Sequence, residues 1–135
     1  MTDASDFTGS SILFQSLLGG MDHVLKALRN NKSSWKTIEQ LIKEISCYSH
    51  KFNETEKHYS AFDKELLTII LALEHNSYFL KNLNNSIYII TDNEPSAAIL
   101  NGQNQKVVDN RRLRYLERLS PYNIRANHLK GTFKL

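Results

Sequence analysis

Apolar residues recur along the chain at two spacings, and each spacing predicts one kind of element. Residues 10–18 read SSILFQSLL, an apolar run after Gly9 that predicts a strand. Gly19 and Gly20 break the pattern. Val24, Leu25 and Leu28 then stand at helical spacing within residues 21–31. Ser33 and Ser34 suit a helix start, and Trp35, Ile38, Leu41, Ile42 and Ile45 continue an i, i+3, i+4 stripe. Residues 46–52 predict a short strand leading to a loop at residues 53–58. The strongest helical signal begins at Ser60, which can cap a helix with Asp63 three residues on. Phe62, Leu66, Ile69, Ile70 and Leu73 line one face of it, and the pattern runs on through Tyr78, Phe79 and Leu80.

A turn by composition follows at residues 82–85, and then SIYIIT at residues 86–91. That run is β-branched, aromatic and apolar on both faces, as a central strand requires. Pro95 is placed to open a helix through Ala97, Ala98, Ile99 and Leu100. A loop at residues 102–105 precedes a further helix over residues 109–119, with Leu113, Leu116 and Leu119 expected inside. Its other face holds Arg111, Arg112, Arg114 and Arg118, with Glu117 and Asp109 as partial partners. Pro121 stops it, and residues 122–129 alternate weakly as a closing strand. The element order predicts a layered α/β domain with a mixed sheet.

Composition narrows the setting. The 135 residues suit one domain with one core, and 41% of them are hydrophobic, well above the disordered class. A net charge of +3 is compatible with a polyanionic partner without requiring one. Cys47 is the only cysteine, which excludes an internal disulfide and a four-thiolate zinc site and favours a reduced, intracellular setting. Cys47, His50 and His58 are too irregularly spaced to argue for zinc. No apolar run approaches the roughly 20 residues of a membrane helix, and the first residues lack a signal-peptide layout.

Three acids stand where acids are locally awkward. Asp92 lies at the carboxyl end of the central strand, the edge where ligands gather in open α/β sheets. Glu65 falls roughly 80° from the centre of the apolar stripe of its helix, on the flank that meets the sheet. Asp3 lies among small residues, Thr2, Ala4 and Ser5, just before the first predicted strand. Carboxylates that converge in a partly buried site repel one another unless cations neutralise them, and all-oxygen donors select hard ions such as Mg²⁺ or Mn²⁺. From spacing alone, helix caps and surface charges remain the better account of these acids.

A resemblance changes that balance. Thr2-Asp3-Ala4-Ser5, with Ile12-Leu13-Phe14-Gln15 after it, resembles the "TDAS…GAVLxQ" opening of ribonuclease H in gypsy-type long-terminal-repeat retrotransposons. Cys47-Tyr48-Ser49-His50-Lys51-Phe52 resembles the family's "xYxSRKL" strand. Tyr59-Ser60-Ala61-Phe62-Asp63-Lys64-Glu65-Leu66-Leu67 is similar to its "YSxxDrELL" helix, and Tyr88-Ile89-Ile90-Thr91-Asp92-Asn93-Glu94-Pro95 to its "xxxTDHkPL" strand end. Arg112-Leu113-Arg114-Tyr115 through Ser120 resembles "RxxRWxxxLs", and His128-Leu129-Lys130-Gly131 the final strand and loop. Together these ordered blocks cover nearly the whole chain.

The resemblance implies a ribonuclease H-like fold, a mixed sheet of about five strands flanked by helices. It implies a single domain over residues 1–135, with a helical insertion around residues 18–44 where the family has a hairpin; the insertion is expected to extend the side of the domain. It implies an endoribonuclease that cleaves the RNA strand of RNA–DNA hybrids during reverse transcription, using two Mg²⁺ (or Mn²⁺) ions. Asp3, Glu65 and Asp92 would be the ligands. Beside the resemblance, Asn93, Arg111, Arg112 and Arg114 are candidates to touch nucleic acid, while for the arginines the favoured reading is a solvated helix face. The partners implied are the hybrid and the reverse transcriptase domain of the same Pol polyprotein, with no membrane, in the cytoplasm or within virus-like particles.

Some features depart from the pattern. His50 replaces the usual Arg, and Asn93 the common His. The chain is expected to be cut at both ends, since the family's first strand starts several residues earlier and its fourth carboxylate lies past Leu135. His128, on the closing strand, is not expected to be catalytic. The rival reading is a non-catalytic relic or connection-like module that positions nucleic acid or packs against a polymerase. An integrase-like relative of the same fold is disfavoured, because it would place its glutamate late in the chain.

Overall fold

The computed structural model describes residues 1–17, 20–30, 35–81, 85–102 and 109–129. The described elements are β1 (Thr2–Ala4), β2 (Thr8–Ser16), α1 (Asp22–Arg29), α2 (Trp35–Glu39), β3 (Ile42–Lys51) and α3 (Glu54–Lys57). They continue with α4 (Ala61–His75), α5 (Ser77–Leu80), β4 (Ile87–Thr91), α6 (Glu94–Leu100), α7 (Asn110–Leu119) and β5 (Ile124–His128). The expected glycine break at residue 19, helix start at residues 33 and 34, turn at residues 82–84, loop at residues 103–105 and closing residues 130 and 131 lie outside the described residues.

The five strands form two hydrogen-bonded sheets. β2 pairs antiparallel with β1 on one side and β3 on the other, and β4 pairs parallel with β5. β1 runs beside β4, so the α/β layers are those of a ribonuclease H-like mixed sheet, but no ladder joins β1 to β4. β1 is only three residues long and spends its backbone groups on β2, from Thr2 opposite Ser11 to Ala4 opposite Gly9.

Helices cover both faces. On one, Leu66, Ile69, Ile70 and Leu73 of α4 pack with Ile89, Ala97, Tyr115, Leu119 and Ala126. On the other, Val24, Leu25 and Leu28 of α1 and Ile38 of α2 pack around Ile90, with Phe14, Ile42 and Tyr88 beside them. Successive strand residues point to opposite faces, so Ile89 and Ile90 serve different cores and β4 is apolar from Ile87 to Ile90. The helices α1 and α2 thus pack on the second face of the sheet, around Ile90.

Four local readings are corrected. The stripe through Leu41, Ile42 and Ile45 is not helical: α2 ends at Glu39 and β3 begins at Ile42. The register passes from Leu13 opposite Ser46 to Phe14 opposite Glu44, leaving Ile45 as an extra residue in a β-bulge and exposed. The bulge breaks the period-2 signal and left Ile45 at helical spacing. Residues 54–57 form a short helix because Asn53 and Glu56 build a capping box. α4 stops at His75, where Asn76 donates to the Ala72 carbonyl and accepts from Ser46 Oγ; Leu80 stays buried, but Tyr78 is 88% exposed and Phe79 is exposed too. Leu113 is also exposed, because α7 turns Tyr115 and Leu119 inward.

β2 and α4 approach very closely at Gly9. A Cβ there would lie 2.0 Å from Thr68 Oγ1, and Thr68 is fully enclosed and donates to the Lys64 carbonyl. Gly9→Ala is expected to lower the free energy of unfolding by about 1–3 kcal/mol, the usual range for overpacking. Urea titration would measure it. The Thr68→Ala change should recover part of the loss, and an unchanged Gly9→Ala midpoint would contradict the close approach.

Candidate active site

Glu65, near the gap between the two sheets, is the most deeply enclosed charged residue among the described residues. Ser60 caps α4, its Oγ accepting from the Asp63 backbone N–H, and this fixes the phase of the helix. In that phase Glu65 enters the interior and is 3% exposed. Its Oε1 accepts two hydrogen bonds of 2.7 Å, one from Thr2 Oγ1 on β1 and one from Thr91 Oγ1 on β4. Among the described residues its Oε2 receives none. Where the backbone ladder is missing, one carboxylate oxygen joins the strands.

The two aspartates flank this junction. Asp3 follows Thr2, and Asp92 follows Thr91 at the end of β4. Since Thr2 turns toward α4, strand alternation turns Asp3 of β1 toward the opposite face, while Asp92 lies just beyond β4 in the turn that follows Thr91. Glu65 therefore reaches the junction from the α4 side and Asp3 from the other. Asp92 is exposed and Asp3 half-buried.

Burial pushes the Glu65 carboxyl above the usual glutamate range; the Thr2 and Thr91 hydroxyls pull against the shift, and the charges of Asp92 and Asp3 add to it. The aspartates are thus near enough for Glu65 to feel both. The donor set is all oxygen and mutually repelling, which suits a hard divalent cation. Its disposition is less complete: among the described residues no group of three or more His, Cys, Asp or Glu side chains stands ready to hold a metal ion.

The other sequence candidates lie apart from this junction. Asn93 Oδ1 accepts from the backbone N–H and the hydroxyl of Ser96, so it caps α6. Arg111 and Arg112 each reach the buried Asp63 at 3.4 Å, and their guanidinium groups stack over Tyr59 and Phe62 at 3.9 and 4.5 Å from the ring centroids. Arg118 is bonded to Glu74. The expected partners Asp109 and Glu117 are displaced by α4, which packs against α7 and supplies Asp63 and Glu74; Asp109 caps α7 instead. Arg114 is exposed and makes none of these contacts.

Cys47 Sγ donates to Glu44, and His50 is paired with Glu56. The His128 ring stands 3.1 Å from the Asp92 carbonyl oxygen. Thr2 and Thr91 were not among the residues singled out by sequence, where Thr2 counted only as a small neighbour. The signal was present: a Thr-Asp step occurs both at the start of the chain and at the end of the central strand.

A family model described as the RNase H-like domain found in reverse transcriptase matches residues 1–122. The chain belongs to that family. No curated protein matches it significantly. No helix among the described residues is long and apolar enough to cross a membrane.

The raised Glu65 pKa fixes a pH dependence. An acid whose pKa is raised by folding binds more protons in the native than in the unfolded chain over the interval between the two values. Stability contributed by Glu65 is therefore present below the ordinary glutamate value, about 4.3, and is lost as pH rises through the folded value. In buffer free of divalent cations, the free energy of unfolding should decline across that interval, and Glu65→Gln should flatten the decline. Identical pH profiles for the two proteins would contradict the assigned burial.

Proposed function

We propose that this chain is a metal-dependent endoribonuclease domain that cleaves the RNA strand of RNA–DNA hybrids, within a retrotransposon Pol polyprotein of the gypsy type. The supporting observation is the buried Glu65 carboxylate between β1 and β4, close enough to Asp3 and Asp92 to feel their charge. Family membership supports a nuclease or nucleic-acid-binding role in the setting of a reverse transcriptase.

In this reading Asp3, Glu65 and Asp92 offer carboxylate oxygens to two Mg²⁺ or Mn²⁺ ions. When bound, such ions supply the Lewis acidity that activates water and stabilises the leaving oxygen in phosphodiester hydrolysis. The protein's own work is to hold three like charges against their repulsion and to keep Glu65 from turning away. The RNA strand would be distinguished by its 2′-hydroxyls. Arg114 is the arginine of α7 best placed to meet phosphate, while Arg111 and Arg112 first satisfy Asp63. The reverse transcriptase domain of the same polyprotein and the hybrid are the partners, in the cytoplasm or a virus-like particle.

A second reading has one observation in its favour. No three-ligand group is preassembled among the described residues, as expected of a module that positions nucleic acid without cutting it. Hybrid cleavage in Mg²⁺ or Mn²⁺ separates the two. The enzyme reading expects the RNA strand to be cut, and Asp92→Asn or Glu65→Gln to lower the rate by about two orders of magnitude or more, as loss of a main electrostatic contributor does. Equal cleavage by wild type and Asp92→Asn refutes the mechanism; hybrid binding without metal-dependent cleavage favours the module.

A further inference from the structure

We propose that Thr2 and Thr91 are positioning residues: their hydroxyls set the Glu65 carboxylate so that Oε2 is the oxygen it offers to a cation. The inference rests on the reading of Asp3, Glu65 and Asp92 as ligands. A carboxylate oxygen has two lone-pair sites, and both sites of Oε1 are taken by hydroxyl donors at 2.7 Å. Only Oε2 then remains for a metal, and Glu65 binds it through one oxygen.

The donors are stiff. Threonine is β-branched and restricted at χ1, and both side chains are buried, Thr91 to 1% exposure. They belong to strands that share no ladder, so each sets Glu65 against a different part of the fold. Each also immediately precedes an aspartate, so a threonine that holds Glu65 also fixes the distance from Glu65 to the next residue's backbone.

Thr91 does more. Its Oγ1 accepts from the Asn93 backbone N–H at 3.1 Å while donating to Glu65. The first bond closes a tight turn around Asp92, the second reaches the glutamate. With its acceptor site occupied by Asn93, the hydroxyl hydrogen is directed at Glu65. One hydroxyl therefore ties the rotamer of Glu65 to the turn that presents Asp92.

The test measures Mn²⁺ binding alone, following free Mn²⁺ by electron paramagnetic resonance, with urea unfolding in parallel to count folded protein. Thr91→Val removes the hydroxyl at nearly constant volume and should weaken Mn²⁺ binding by about tenfold or more, the range for residues that orient a ligand. Thr2→Val, nearer the surface, should act in the same direction. Thr91→Ser and Thr2→Ser, which keep the hydroxyl, should restore binding. On the Glu65→Gln background, Thr2→Val, whose hydroxyl bonds Glu65 and not the Asp92 turn, should cause no further loss. Wild-type affinity in both valine variants, while Glu65→Gln binds weakly, overturns the positioning role and leaves the ligand reading standing. A further loss on the Glu65→Gln background also overturns it. Equal Mn²⁺ binding by wild type and Glu65→Gln overturns both.

Discussion

A single buried oxygen organises the centre of this molecule. Oε1 of Glu65 accepts from hydroxyls on two strands that exchange no backbone hydrogen bonds, and so it joins a three-stranded antiparallel sheet to a two-stranded parallel one. A charged group enclosed this deeply is tolerated only when it is hydrogen-bonded. The two threonines meet that need and leave the other oxygen uncommitted. The strain that remains, visible in the raised pKa, comes from burial and from the neighbouring aspartates. The group that bonds both sheets thus also sits beside two further negative charges.

Much of the fold was legible in the sequence where one periodicity dominated. α4 was marked by its stripe of Leu66, Ile69, Ile70 and Leu73, and β4 by a run apolar on both faces. The readings failed where two signals overlapped. Ile38, Leu41, Ile42 and Ile45 fit a helical stripe only because a bulge adds one residue to β3. Tyr78 and Phe79 continued a pattern that Asn76 interrupts, and nothing in the hydrophobic spacing records the hydrogen bond that Asn76 accepts from Ser46. The helix at residues 54–57 has no apolar face, so only its capping box could have revealed it.

For the site, sequence supplied the acids but not their relation. Glu65 could be placed on the flank of its helix, yet its pairing with Thr2 and Thr91 spans 63 and 26 residues and depends on tertiary packing. The same holds for the arginines of α7. Their spacing suggested a solvated face, but Asp63, 48 residues before Arg111, draws two of them over aromatic rings while Arg111 stays exposed. Resemblance to a family indicated which acids to examine; the hydroxyls that hold them appear only in three dimensions.

That arginine pair shapes how the molecule responds to ionic strength. Two guanidinium groups share one enclosed carboxylate, so the corner where α7 meets α4 presents one net positive charge from three ionic groups. Dissolved salt screens exposed charges over distances beyond about 8–10 Å but acts weakly on pairs in partial contact with the interior. Raising salt would therefore dull the long-range pull of this corner on a polyanion while leaving α7 fastened to α4.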